Sequence, residues 1–256
     1  MKMKKVLVIL LGVFILICGI QAQVKKQLVT IKLSEKERID FKYNYKNQLI
    51  SFIETGVISL HQYNFKYDKD GRLIECNIVR DKGDVNITSK YNYAQASKAE
   101  NAYVMEEMTI SGRLATKNTE NNKIYIDANQ RIENVFLDNG TPWENFEYDN
   151  DGNLIKYTLH IDTKGKVSTI SYLYDNHISP LTNITLPTWF WTNHIGNLKW
   201  SSEFIGKNNA SSSTSEVSRE EPIGINITYE YDNDNYPIKQ YYNGNLSKEF
   251  TYKVIK

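Results

Sequence analysis

The sequence predicts an all-β fold, an antiparallel meander of about 14 strands that curls into a barrel-like roll or superroll. Three observations support this: a recurring aromatic-x-aromatic-Asp/Asn pattern, turn residues after each copy, and an even spacing between turns. The pattern occurs at 41–44, 65–68, 146–149, 172–175 and 229–232. A degenerate copy, with aliphatic residues in place of the two aromatic ones, occurs at 124–127. Such a recurrence is typical of a repeat architecture.

Each copy predicts a strand that ends in a tight turn. Two aromatic residues separated by one position lie on the same face of a strand. The segments that follow, as at 68–71, 149–152 and 232–235, begin with Asp and have Gly or Asn at the fourth position. Asp accepts backbone N–H groups and Gly adopts positive φ, so we expect a type I turn followed by a bulge.

The spacing of the turns predicts the topology. Glycines at 71 and 83, and again at 140, 152 and 165, are 12 or 13 residues apart. This spacing leaves about eight residues for each strand once the turn is removed. Connections this short join antiparallel neighbours, so consecutive strands should pair along the whole chain.

One long segment, residues 178–222, departs from the pattern. Near 180–200 it is rich in aromatic residues, and we expect a short helix or lid there that packs on one opening of the roll. The Ser- and Asn-rich residues 207–221 predict a flexible loop. No boundary between two domains is evident, so residues 23–256 are expected to form a single β-repeat domain.

The N-terminus predicts export. A lysine-rich start precedes an apolar run from Val6 to Cys18, and small and polar residues then lead to Ala22-Gln23. This order is that of a secretory signal peptide over residues 1–22, and the run is too short for a permanent membrane-spanning helix. We therefore expect an extracytoplasmic protein, in the periplasm or at the cell surface, after cleavage near Ala22-Gln23.

Lipid anchoring at Cys18 is the less favoured alternative, because the preceding Ile17 is bulky where a lipoprotein signal has a small residue. After cleavage Cys76 is the only cysteine, so the domain depends on its core rather than on a disulfide. Removing residues 1–22 removes three lysines and leaves 28 basic against 30 acidic residues. This balance does not indicate a nucleic-acid partner, and no second apolar segment is long enough to cross a membrane as a helix.

Residues 148–155, with Tyr148-Asp149, Gly152 and Leu154-Ile155, resemble the YD repeat of RHS-type secreted shells. The whole plan is similar to a family of secreted bacterial domains of unknown function, described as having a porphyrin-like fold. The shared features are degenerate YD units, an Asp…Pro break, an aromatic insertion, an Asn-rich loop and a closing Tyr-x-Tyr-x-x-x-x-Tyr-Pro unit at 229–237. The resemblance covers most of the chain after the signal, and it implies a secreted β-repeat domain without identifying catalytic residues.

The sequence offers no clear metal, cofactor or catalytic constellation. The paired acids at 68/70 and 149/151 are better explained as turn residues than as calcium ligands, because the remaining ligands of a calcium loop are missing. The four histidines show no metal-ligand spacing, and no nucleophile motif is present. We therefore predict neither a metal nor a cofactor, and favour a protein that is not an enzyme.

The aromatic insertion contains the best candidates for ligand binding, namely Trp189, Trp191, Trp200 and His194. Exposed tryptophans stack on sugars and other flat ligands. The alternative is that these rings fill one end of the roll as a plug.

These observations favour a secreted, non-enzymatic binding or scaffold domain. Its partner would be a glycan, a flat apolar ligand or another surface protein. The alternatives are a glycan-active enzyme with an unidentified carboxylate pair, and a haem- or porphyrin-binding protein with His177 or His194 as the ligand. An integral outer-membrane barrel is less consistent with so polar a chain.

Overall fold

The computed structural model describes residues 24–80, 85–94, 103–113, 116–162, 165–218 and 220–255. The predicted signal peptide, with its cleavage site and Cys18, lies outside these residues.

Sixteen strands of the described chain form one antiparallel meander, and pairing of the first strand with the last closes it into a barrel. The predicted all-β, barrel-like fold is confirmed, with more strands than the approximate number expected. The strands are β1 Lys26–Lys32, β2 Arg38–Tyr43, β3 Leu49–Thr55, β4 Leu60–Tyr67, β5 Leu73–Arg80, β6 Val85–Ala94, β7 Tyr103–Arg113, β8 Thr116–Ile126, β9 Ile132–Leu137, β10 Pro142–Tyr148, β11 Leu154–His160, β12 Val167–Tyr174, β13 Ala210–Val217, β14 Ile223–Tyr231, β15 Pro237–Tyr242 and β16 Asn245–Val254. A short helix, α1 Thr188–Asn193, and a 3₁₀ helix, Lys199–Phe204, lie between β12 and β13.

The expectation of a flexible loop over 207–221 was wrong. Strand β13 lies within this segment and pairs with β12 on one side and β14 on the other. Ser and Asn are common in loops because they bond to nearby backbone groups, but neighbouring strands on both sides satisfy the backbone of β13 instead. Composition alone could not reveal those partners.

The repeat turns have the predicted geometry. At the turn after β4, the carboxylate of Asp68 accepts the backbone N–H groups of Asp70 and Arg72 at 2.9 Å, and Gly71 has a φ of 82°. After the turn, Tyr67 pairs with Leu73 and Lys66 with Glu75, so the register shifts between Lys66 and Tyr67 and the return strand has one extra residue, as a bulge requires. The same shift occurs directly before the second aromatic or aliphatic residue of the other copies: Tyr43, Ile126, Tyr148, Tyr174 and Tyr231.

The second tyrosine of the repeat fastens neighbouring strands together. The hydroxyl groups of Tyr43, Tyr67 and Tyr174 donate to backbone carbonyl oxygens of the preceding strand at 2.6 to 2.7 Å. Burial raises the pKa of all three hydroxyls, so each remains a donor. Phenylalanine would fill the same space but could not make this bond, which explains a tyrosine at this position of the repeat.

Most of the side chains that face the barrel interior in the repeats are apolar, and charged pairs lie on the outer face. In four copies the first aromatic residue faces the interior and is buried: Phe41, Phe65, Phe146 and Tyr172. The alternate positions carry charged pairs that bridge neighbouring strands, which are Lys66–Glu75 at 2.6 Å, Lys156–Glu147 at 2.7 Å and Lys239–Glu230 at 2.9 Å. Alternation along each strand therefore separates the core from the outer surface.

Residues 175–209, which we call the plug, fold into the barrel interior. Its rings pack against strands far apart in the sheet: Trp189 on Tyr91 of β6 at 4.8 Å, Phe190 on Phe65 of β4 at 5.1 Å, and Phe204 on Phe250 of β16 at 5.5 Å between ring centroids. A segment that contacts so many strands lies inside the barrel, rather than on the opening as a lid.

The C-terminal end of the plug, which leads back to β13, is hydrogen-bonded to the repeat turn between β10 and β11. The side-chain oxygen of Asn153 accepts the backbone N–H groups of Lys207 and Asn208 at 2.9 Å. Gly206 has a φ of 133°, and a Cβ there would lie 2.5 Å from the Cα of Asn153. Only glycine allows this close approach without displacing the backbone.

Candidate functional site

A cavity of about 500 Å³ remains in the barrel where the plug does not reach. Its walls come from β5, β6 and β8 to β11, and its floor from the C-terminal end of α1 and the loop after it. The repeat turns join the end of β4 to β5 and the end of β10 to β11, so the cavity lies toward the opposite end of the barrel. The lining side chains are partly polar and partly apolar, and include Ile78, Arg80, Ile87, Ser89, Asn122, Val135, Trp143, Glu144, Tyr157, Leu159, Asn193, His194 and Asn197.

Arg80 brings a positive charge into the cavity. It is the last residue of β5, on the same inward face as the buried Cys76 and Ile78. It lies close enough to Tyr63 for its positive charge to oppose the rise that burial causes in the pKa of that hydroxyl. Its Nε atom is buried and has no hydrogen-bond partner among the residues that the structure describes, although a buried donor normally has one.

Glu144 brings a negative charge. It lies near the start of β10 with 8 % of its surface exposed, and the hydroxyl of Tyr157 donates to its carboxylate at 2.7 Å. Burial and the neighbouring carboxylate both raise the pKa of Tyr157, so the phenol stays protonated and holds Glu144 in place.

His194 forms part of the floor at the end of α1. Its ring packs against Phe190 at 4.4 Å, and its Nε2 lies 3.2 Å from the hydroxyl of Tyr91. Burial, together with the charge of Arg80, lowers the pKa of His194 to about 4. The imidazole is therefore neutral at neutral pH.

This buried imidazole predicts a loss of stability in acid. Its pKa is about 4 in the folded state and about 6.5 when exposed, so between these values the unfolded state binds more protons. The free energy of unfolding should therefore fall as the pH drops from about 6.5 toward 4, by up to about 3 kcal/mol from this group. The free energy of unfolding of His194→Gln, measured with urea, should fall less between about pH 6.5 and pH 4 than that of the natural protein. Parallel pH profiles for the two proteins would contradict the assignment.

Trp143 borders the cavity at the irregular start of β10, where the register with β9 shifts between Pro142 and Glu144. It precedes Glu144, lines the cavity, and keeps 38 % of its surface exposed. The cavity thus combines a cation, an anion, amide groups and an exposed aromatic ring, which can act together on a ligand that has both polar groups and an apolar face.

The predicted ligand-binding residues separate into two groups. Trp189, Trp191 and Trp200 are buried in the plug, and the indole N–H of Trp200 donates to Glu54 at 2.6 Å. They form no exposed surface, which agrees with the plug interpretation, and a ligand-binding role for them stays a prediction. His194 does line the cavity.

Sequence reasoning missed Arg80, Glu144 and Tyr157. The sequence did contain a signal for the two charged residues. Arg80 is two positions after the buried Ile78, and Glu144 is two positions before the buried Phe146, so alternation predicts that both face inward. A charged residue in phase with buried residues indicates a polar site in the interior. Which of these residues share one cavity depends on strand positions that local pattern does not reveal.

Within the described ranges, no group of three or more His, Cys, Asp or Glu residues is placed to hold a metal ion. None of the helices in these ranges is long and apolar enough to cross a membrane.

Comparison with known proteins finds similarity at the level of solved structures. No protein-family model and no curated protein matches the chain. A porin-like protein from Bacteroides uniformis is 17 % identical, with a TM-score of 0.45, over 90 % of this chain and 95 % of its own. A porin-like protein from Bacteroides vulgatus is 9 % identical, with a TM-score of 0.44, over 90 % of this chain and 99 % of its own. The predicted relationship to proteins with YD-type repeats stays a prediction.

Proposed function

We propose that this protein is a secreted, non-enzymatic binding protein that holds a saccharide in the cavity of its barrel. The observation that carries the proposal is the cavity itself, in which Arg80 and Glu144 face the same space beside Trp143. Its volume of about 500 Å³ lies within the range of roughly 300–1,000 Å³ that is typical of small-molecule sites. A single sugar or the end of an oligosaccharide is of suitable size.

The chemistry of the lining suits a sugar. Sugar hydroxyl groups donate to carboxylates such as Glu144 and accept from guanidinium and amide groups such as Arg80 and Asn197. The apolar face of a sugar ring packs on an aromatic side chain, which Trp143 supplies. Among the described lining residues Glu144 is the one carboxylate. Hydrolysis of a glycosidic bond commonly uses two, so we favour binding over catalysis.

The position of His194 argues against haem ligation through its Nε2 atom. An axial ligand needs a free imidazole nitrogen directed at open space. Nε2 of His194 lies within hydrogen-bond distance of the Tyr91 hydroxyl, and the ring is packed on Phe190.

The outer surface supports a protein that works in water. Charged pairs such as Lys66–Glu75 and Lys156–Glu147 lie on the outward faces, where lipid would require apolar side chains. The predicted export signal supports a function outside the cytoplasm.

Binding to a panel of monosaccharides and short oligosaccharides tests the proposal, with calorimetry as the readout. We expect at least one member to bind and Glu144→Gln to weaken that binding by about tenfold or more, as is typical for a lost buried charged hydrogen bond. Glu147→Gln is the matched control, because Glu147 lies on the same strand but is exposed and pairs with Lys156 outside the barrel. The control should bind as the natural protein does.

Failure of every saccharide to bind would refute the proposal, as would equal binding by the two variants. Chromatography of the bound sugar after incubation tests the non-enzymatic part. Appearance of cleaved products would make the protein an enzyme.

A further inference from the structure

We infer that the saccharide is an acidic one, whose carboxylate pairs with Arg80 while its hydroxyl groups bond to Glu144. The inference rests on the proposed saccharide-binding function and narrows it to a chemical class.

Arg80 differs from the other arginines whose side chains the structure describes. Arg38, Arg72 and Arg131 each pair with an aspartate at 2.6 to 2.8 Å. Arg80 has no carboxylate within ion-pair distance among the described residues, although its Nε is buried. Arg80 as a whole is half-buried. An anionic ligand would therefore stabilise its partly desolvated charge more than a neutral ligand would.

Among the described residues, the groups near Arg80 include no carboxylate in contact with it. Tyr63 stays a protonated phenol because burial raises its pKa, and His194 is neutral. The carboxylate of Glu54 is one strand further away, where it contacts His61, the residue opposite Arg80 on β4. Glu144 stands on β10, five strands away along the sheet, and is bonded to Tyr157. The cavity therefore has a positive group on one wall and a negative group on another.

A cavity with a positive group on one wall and a negative group on another can hold a sugar acid in one orientation. A guanidinium presents parallel N–H donors that fit the two oxygens of a carboxylate. The hydroxyl groups at the other side of the same ring donate to the carboxylate of Glu144. A neutral sugar would leave the guanidinium without an anion, and a dianion would bring a second negative charge toward Glu144.

Calorimetry with matched pairs of sugars tests the inference, using glucuronate against glucose, galacturonate against galactose, and short oligomers of each. We expect the natural protein to bind the acid at least tenfold more tightly than its neutral partner, with affinity that falls as salt is added. Arg80→Gln should abolish this preference and leave weak binding of both members. Arg131→Gln is the control, because it removes an arginine that is already paired with Asp127. This variant should keep the preference for the acidic sugar.

The outcomes separate the two proposals. If neutral and acidic partners bind equally, the acidic class is overturned while saccharide binding stands. If no sugar binds, both fail. Should Arg80→Gln not fold, as judged by circular dichroism, Arg80→Lys keeps the charge but not the parallel donors and is expected to lower the preference severalfold. An unchanged preference in that variant would overturn the role of Arg80.

Discussion

Replacing Glu203 by alanine is expected to destabilise the barrel by about 3–5 kcal/mol, the cost typical of leaving one buried charge without its partner. Lys248 retains only 3 % of its surface exposed, and its ammonium group donates to Glu203 at 2.9 Å. Without Glu203 that ammonium group would remain inside the protein without a counter-ion.

Glu203 also stands at the centre of a hydrogen-bond network that joins the plug to the wall. It lies in the 3₁₀ helix, whereas its partners Gln240, Tyr242 and Lys248 lie on β15 and β16. Gln240 donates to the carboxylate at 2.8 Å, and the hydroxyl of Tyr242 also donates to it. Burial lowers the pKa of Lys248 and the Glu203 carboxylate opposes that effect, which favours the charged pair. Loss of Glu203 thus removes several contacts at once.

Equilibrium unfolding in urea measures the effect, and an exposed ion pair of the same sheet provides the control. Glu230 pairs with Lys239 at 2.9 Å on the outer surface, where water screens the charges. Glu230→Ala should therefore leave the unfolding midpoint nearly unchanged. The double variant Glu203→Gln/Lys248→Met should recover part of the stability lost in Glu203→Ala, because no unpaired charge remains. Similar midpoints for Glu203→Ala and Glu230→Ala would show that the buried pair does not hold the plug.

The strands and turns could be predicted because their causes are local. Asp68 and Gly71 determine a turn through bonds and dihedral angles within a few residues, and alternation alone predicts that Phe65 and Tyr67 share a face. Sequence reasoning therefore predicted the class of fold, the antiparallel order and the bulges.

The plug and the cavity could not be predicted in the same way, because their contacts join residues distant in sequence. Glu203 meets Lys248 across 45 residues, and Tyr91 meets His194 across 103. Strand β13 is a similar case, since its Ser-rich sequence is typical of a loop until its two neighbours are known. The sequence shows such contacts locally in one way only: a charged residue occupies a position that alternation assigns to the buried face. Lys248, two positions before the buried Phe250, is an example.

Trp189→Ala is expected to destabilise the protein by about 3–5 kcal/mol, as is usual when a fully buried aromatic ring is removed. Trp189 has 1 % of its surface exposed and packs edge-to-face with Tyr91 at 4.8 Å between ring centroids. Strand β6 and helix α1 would lose this contact, and the ring of Phe190 could not fill the space while it packs on Phe65. Urea unfolding measures the loss.

Trp143→Ala is the matched control, because it removes the same side chain from a site that is 38 % exposed. It should cost much less stability and should instead weaken saccharide binding, since Trp143 lines the cavity. Trp189 would then be shown to stabilise the plug, and Trp143 to contact the ligand. If Trp189→Ala instead abolished binding while leaving the unfolding midpoint unchanged, the plug would have to open in solution, and the insertion itself would be the binding surface.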